Sequence, residues 1–302
     1  MRVLITGWPS FRHGEATAGD VLAMARVADA LTGAGIACEQ AFSPVFAPGG
    51  RSLDDAPPER YSHVAFVCGP VHGDQVRWLH ERYASCRRIA IGVSVVDPDD
   101  PAVRGFDTVL ARDGAGYAPD LCLPPDGPDG PDGERPAVAG VVLAPGQPEY
   151  GERARHDRVH AVLGGWLNGL ACAPLVLDTR LDTTDWRHCA TPAEFAELVA
   201  RCDVVVTTRL HGLVFGLRAG VPVLAVDPVR GGGKVTAQAR SLGWPAVAGA
   251  ERLAGGSTAE LDRWWAFCRS GEGRARAARP WREGPGVLIG ALLRSLAPDR
   301  RL

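Results

Sequence analysis

Arg209-Leu210-His211-Gly212 stands at the end of a valine run, Asp203-Val-Val-Val-Thr-Thr, and an apolar helical stretch starts at once. An arginine offers a planar fork of donors matched to a carboxylate or phosphate, and it stays charged at any ordinary pH. A histidine two residues on can give or take a proton near neutrality. Unpaired N–H groups at a helix start favour an anion. Residues two apart on a strand point the same way, so Arg209 and His211 are expected to face one site. The pattern implies an anion pocket with a titratable group inside it. The structural alternative pairs Arg209 with an acid and leaves His211 on a loop.

A second cationic turn follows the next apolar run. Asp227-Pro-Val-Arg-Gly-Gly-Gly233-Lys234 has three glycines whose N–H groups can approach an anion closely, and Lys234 opens a helix. Consecutive strands are usually neighbours, which places this loop beside Arg209. Gly19-Asp20 ends a long turn from Gly7 that lacks GxGxxG; Asp20 either caps its helix or serves as base for a substrate hydroxyl. His72 closes another strand in Gly69-Pro-Val-His-Gly-Asp74 and is a candidate ligand contact. Arg112-Asp113 follows a short strand, as an ion pair or an anion contact. His156 and His160 lie four apart on a helix with no third partner for a metal, and so read as surface residues. Trp264-Trp265 reads as packing. Nucleophile-elbow, Walker and zinc motifs are missing from the sequence.

Alternating strands and helices must position these groups. In the first half, strands are expected at Val3–Thr6, Ala37–Phe42, His63–Cys68, Arg88–Ser94, Thr108–Ala111 and Leu121–Leu123, with helices at Gly19–Thr32 and Asp74–Ala84. Three near-copies of Pro-Asp-Gly then fill 124–136, a segment with no apolar face to bury, which reads as a linker. The second half restarts the rhythm. Strands are expected at Val138–Leu143, Pro174–Leu177, Asp203–Thr207 and Val221–Val226, with helices at Asp157–Gly169, Pro192–Ala200, Val235–Leu242 and Pro285–Leu296. Thr191-Pro192 with Glu194 is a complete helix start. The expected division is an α/β domain over 1–123, the linker, a second α/β domain over 137–283, and a C-terminal helix over 284–302 able to pack back on the first domain. Alternation of this kind argues for parallel sheets in two Rossmann-like domains; one continuous domain is the alternative.

Composition narrows the functional classes. The 302 residues are 46% apolar and 23% charged with net charge −2, which suits a globular protein and gives no basic footprint for nucleic acid. No apolar stretch reaches the ~18 residues of a membrane span, and the first residues do not read as a signal peptide. Eight cysteines are scattered singly, so a reducing cytoplasm is expected.

These residues together resemble the polysaccharide pyruvyl transferase family. The resemblance is clearest from Asp203 to Gly243: the valine strand into Arg209-Leu-His211-Gly, an apolar helix, Gly220-Val-Pro-Val, and a later lysine before Leu242-Gly243. Gly19-Asp20 and Arg112-Asp113 extend it more weakly. The resemblance implies two Rossmann-like domains facing a cleft, similar to GT-B glycosyltransferases. It implies transfer of a pyruvyl group from phosphoenolpyruvate to hydroxyls of a sugar-containing acceptor, often as a ketal, with no required metal or other cofactor. Arg209 would then hold the donor's phosphate or carboxylate within a turn that includes Leu210 and Gly212, and His211 would be the general acid. Asp20 is the candidate base. Gly233, Lys234, Gly19, Arg112 and His72 complete the expected binding set, with Lys234 stabilising the departing phosphate. The chain departs from the family pattern at Val142-Leu-Ala144-Pro145, where an arginine is usual, and at Cys68-Gly-Pro70, where a glycine triplet is usual. A nucleotide-sugar glycosyltransferase and a non-catalytic binding protein are the alternative readings.

Overall fold

The computed structural model describes residues 1–113, 118–123, 135–253, 255–280 and 286–296. The chain divides into two compact units, Met1–Asp132 and Gly133–Leu302. Most of the expected Pro-Asp-Gly linker, 124–134, lies outside the described residues.

The first unit runs β1 (Arg2–Thr6), α1 (Ala18–Gly33), β2 (Ala37–Gln40), β3 (His63–Val67), α2 (Gly73–Arg82), β4 (Arg87–Val93), α3 (Pro101–Arg104) and β5 (Thr108–Ala111). Its sheet has the order β2-β1-β3-β4-β5 and is parallel throughout. Both faces are covered, and the two-residue period sorts the side chains. Leu4, Val64 and Phe66 join one apolar cluster, while Val3, Ile5, Ala65 and Val67 join the other. Leu121–Leu123, expected as a strand, is a turn. Three residues give no ladder to close, and Asp120 instead accepts the Cys122 N–H at 2.8 Å.

The second unit runs β6 (Ala137–Val142), α4 (His156–Asn168), β7 (Cys172–Val176), α5 (Pro192–Ala200), β8 (Val204–Thr207), α6 (Leu210–Arg218), β9 (Val223–Asp227), α7 (Lys234–Ser241) and β10 (Val247–Gly249). Helices α8 (Ala250–Leu253), α9 (Ala259–Arg269), α10 (Gly271–Ala277) and α11 (Gly286–Leu296) follow. The sheet order is β10-β9-β8-β6-β7, again all parallel. Central β8 is four β-branched residues, all buried, as a strand covered on both faces requires. Thr191 caps α5 by accepting the Glu194 N–H at 3.2 Å, with Pro192 in the first turn. Trp265 is buried in α9 and meets Trp166 edge-on at 5.9 Å, and the Trp264 indole donates to the Val247 carbonyl at 3.1 Å. The tandem tryptophans are packing residues. The apolar side chains of α11 are exposed.

Candidate functional site

Strand order fixes where each unit can hold a ligand. From β6 the chain crosses to β7 on one side, and β8 then returns to the other side of β6. The loops after β6 and β8 therefore part, leaving a crevice outside their carboxyl ends where ligands bind in open α/β sheets. In the first unit the same reversal lies between β1 and β3.

At the second unit's crevice, two threonines stitch the strand ends together. The Thr207 hydroxyl donates to the Val142 carbonyl at 2.8 Å and accepts the Arg209 N–H at 2.9 Å. The Thr208 hydroxyl accepts the Ala144 N–H at 2.8 Å. Arg209 is the extended N-cap residue of α6, with φ −111° and ψ 134°. Its Nη1 donates to Asp178 Oδ1 at 2.7 Å, and its side chain is 21% exposed. Among the described residues that is the guanidinium's one engaged donor, so the Nε–Nη2 edge is open for a two-point contact. Asp178 also accepts the Arg180 N–H at 2.9 Å and Nε at 2.7 Å. Burial raises the Asp178 pKa, but the Arg180 hydrogen bonds and the two arginine charges outweigh it and hold the carboxyl below its usual value.

His211 does not lie on a strand beside Arg209. The strand ends at Thr207, and His211 is in the first turn of α6, exposed, lining a cavity of about 170 Å³ with Thr179, Leu181, Pro192, Phe195 and Phe215. The two-residue alternation therefore fails here, because the helix begins between the two side chains. Both still border the loop that follows β7, Arg209 through Asp178 and His211 through Thr179. Leu210 packs on the unit's core. Gly212 is buried where a Cβ would run into the Thr207 side chain and come within 3.2 Å of Val142 Cβ. Its role is to let α6 approach the strand ends.

The glycine turn after β9 is already filled by the chain's own carboxylates. Asp227 accepts the N–H groups of Val229 at 3.0 Å, Gly233 at 2.7 Å and Thr236 at 2.8 Å. Glu251 accepts the Gly231 N–H, and the Gly232 N–H goes to the Val229 carbonyl at 2.9 Å. Arg153 clamps the turn from outside through the carbonyls of Arg230 and Gly232. The expectation that Gly233 offers its N–H to a ligand is thus corrected: an internal anion sits at the start of α7. Lys234 remains available, 43% exposed and 4.0 Å from Glu149.

His156 and His160 are not surface residues. They occupy the first turns of α4, beside the β6/β8 crevice, and His156 is 3% exposed. Neither of its ring nitrogens has a hydrogen-bond partner among the described residues. His160 Nε2 pairs with Thr208 Oγ1 at 3.3 Å, and the two imidazoles meet edge to face at 6.1 Å. Burial lowers both pKa values, so both rings are held neutral. The four-residue spacing was a signal for a shared helix face; without a strand order there was no reason to aim that face at the crevice.

In the first unit, Asp20, Gly19 and Arg112 converge on two thiols. Thr17 caps α1 by accepting the Asp20 N–H at 3.1 Å and returns its hydroxyl to the Asp20 carboxylate at 2.8 Å. Asp20 is therefore a third-position partner of the cap rather than the cap itself. Burial, with the nearby Asp20 carboxylate, raises the Cys68 thiol pKa. Arg112 reaches Cys68 Sγ at 3.4 Å, Asp120 at 2.6 Å and Ser94 Oγ at 3.2 Å, while Asp113 accepts from Ser94 instead of pairing with Arg112. The Gly19 carbonyl accepts from Cys122, whose thiol burial and the nearby Asp120 push up to about 11. Cys68 itself has φ +65°, a strained conformation of the kind that clusters at ligand sites. His72 precedes α2, exposed, and stacks at 5.3 Å on Trp8 from the loop after β1, so it bridges this unit's crevice.

The polysaccharide pyruvyl transferase family matches this chain over residues 179–228, from the residue after Asp178 to the residue after Asp227. No curated protein matches it. Among solved structures, a spinosyn rhamnosyltransferase complexed with thymidine diphosphate is 14% identical at a TM-score of 0.31, covering 97% of this chain and 100% of that one. A UDP-GlcNAc 2-epimerase from Methanocaldococcus jannaschii is 8% identical at a TM-score of 0.34, with the same coverages of 97% and 100%. The glycotransferase of kitacinnamycin is 14% identical at a TM-score of 0.23, covering 98% and 99%.

Proposed function

We propose that the chain is a transferase of the pyruvyl transferase kind, moving a pyruvyl group from phosphoenolpyruvate to a hydroxyl of a sugar-containing acceptor. The observation that carries this reading is the family match over 179–228, which contains both Arg209, with its open Nε–Nη2 edge, and His211. Arg209 takes the donor carboxylate by a two-point contact. His211 protonates the methylene carbon of the enol, and the electron pair of the double bond forms the new C–H bond. The acceptor oxygen attacks the cationic carbon left behind and loses its proton to a base, for which Asp20 is the candidate. The C–O bond to phosphate then breaks, and phosphate leaves with the bonding pair. A second hydroxyl closing on the same carbon gives the ketal.

The test is phosphate release from phosphoenolpyruvate in the presence of a panel of glycosyl acceptors, with His211→Gln and Arg209→Gln as variants. The reading expects release that falls at least a hundredfold in His211→Gln, within the range a lost general acid removes. Stabilisation by a nucleoside diphosphate, with none by phosphoenolpyruvate, would replace it with the nucleotide-sugar reading.

A further inference from the structure

His156 is a buried polar group, unpartnered at both ring nitrogens among the described residues, that the roles above leave unexplained. A buried side chain with two unpartnered nitrogens costs free energy, and such groups persist where a ligand or a reaction uses them. We propose that His156, His160 and Lys234 form an oxyanion subsite beside the β6/β8 crevice, built to take a tetrahedral phosphate or sulfate group. Four features converge there. Helix α4 has thirteen residues and no side-chain cap at its start, and the positive end of its dipole favours an anion there. His156 stands in that first turn. His160, one turn on, touches Thr208, the residue before Arg209. Lys234 comes from the adjacent β9–α7 turn, which is tied to the start of α4 by the Arg155 N–H donating to the Pro228 carbonyl at 2.8 Å and by the Ala154–Val229 bridge, and supplies an ammonium.

The acids that act on His156 have defined places in this arrangement. Asp227, at the end of β9, spends its oxygens on three N–H groups of its own turn. Asp157, on α4 itself, is exposed to solvent. Glu149, from the Pro148–Arg153 turn, lies 4.0 Å from Lys234, and an arriving oxyanion takes its place on that ammonium. These acids do not gather with the histidines into a group able to hold a metal ion among the described residues. The histidines are neutral until the anion comes. Anion binding and protonation then assist one another by the same factor, so the site takes up protons with its ligand. The ligand is either the phosphate of a donor or free phosphate.

The test is calorimetric titration with sulfate, whose charge does not change between pH 8 and pH 6, on the full chain and on His156→Gln, His160→Gln and Glu149→Gln. Sulfate binding is expected to tighten as pH falls, by up to about tenfold per pH unit for each proton taken up. The slope is expected to flatten in both histidine variants, while Glu149→Gln tightens binding at every pH. Absent sulfate binding, a pH-independent affinity, or an unchanged slope in His160→Gln overturns the proposal. The exposed Glu149→Gln keeps it decidable if His156→Gln fails to fold. Displacement of sulfate by phosphoenolpyruvate assigns the subsite to a donor phosphate, and displacement by phosphate alone assigns it to the free ion. The readout is binding, so a chain that transfers no pyruvyl group leaves this result untouched.

Discussion

Acid should destabilise the second unit through His156 in a measurable and bounded way. His156 is neutral in the fold because burial lowers its pKa, whereas in the unfolded chain it titrates near its ordinary value of about 6.5. Below that pH the unfolded state binds the extra proton, so stability is full above about pH 6.5 and falls as pH drops. The limiting slope is about 1.4 kcal/mol per pH unit for one proton. Between pH 6.5 and 5.5 the histidine is only partly protonated when unfolded, and integration gives a loss of up to about 1 kcal/mol. His160, in the same unit, is also lowered by burial and carries the same sign, so the two together remove up to about 2 kcal/mol over that pH interval. His156→Gln should cut the loss by about one half. The assay is urea denaturation in chloride buffer at pH 7.5, 6.5 and 5.5, followed by tryptophan fluorescence, with m-values checked for constancy. If His156→Gln retains the full acid slope, the imidazole is protonated in the fold, and the reasoning from burial fails.

Two further substitutions probe the strand ends. Gly212→Ala pushes a methyl into Thr207 and toward Val142 and should cost about 1–3 kcal/mol of stability; an unchanged melting temperature would mean that α6 stands farther off the sheet. Asp227→Asn replaces a charged acceptor of three N–H groups with one that has a single carbonyl oxygen. It should cost about 1–3 kcal/mol and speed hydrogen exchange at Gly233 and Thr236; unchanged exchange would show the turn held by Arg153 and Glu251 instead.

Sheet-forming segments were legible because burial on both faces leaves an unbroken apolar run, as in Val204–Val206. The Arg209 turn was legible for the same reason, since a charged residue stands out at the end of such a run. Side-chain direction was not. Arg209 and His211 were expected to share a strand face, but helix α6 begins between them, and no local signal fixes that boundary to one residue. The glycine turn misled in another way. Asp227 was in plain view, yet its capture of the Gly233 N–H depends on how the backbone folds over it. His156 is the converse: its burial follows from strand order and from the loop before α4, neither of which is written in its neighbours. Helices α9 and α10 were not among the expected elements, although Leu261, Trp264, Trp265 and Cys268 of α9 keep the i, i+3, i+4, i+7 spacing of one helix face.

The glycine turn is held by Asp227, Glu251 and Arg153, and Ala154 is bridged to Val229. Those residues have already surrendered their backbone freedom, so a ligand arriving at the crevice can order nothing more in them. Beside the strand ends, Pro145 and Gly146 are exposed, with nothing within 4 Å of where a Gly146 side chain would begin. Fixing the Gly146 backbone when a ligand binds costs about 1–2 kcal/mol of conformational entropy. Affinity at this edge is therefore adjustable by replacing Gly146 with a residue of narrower backbone freedom.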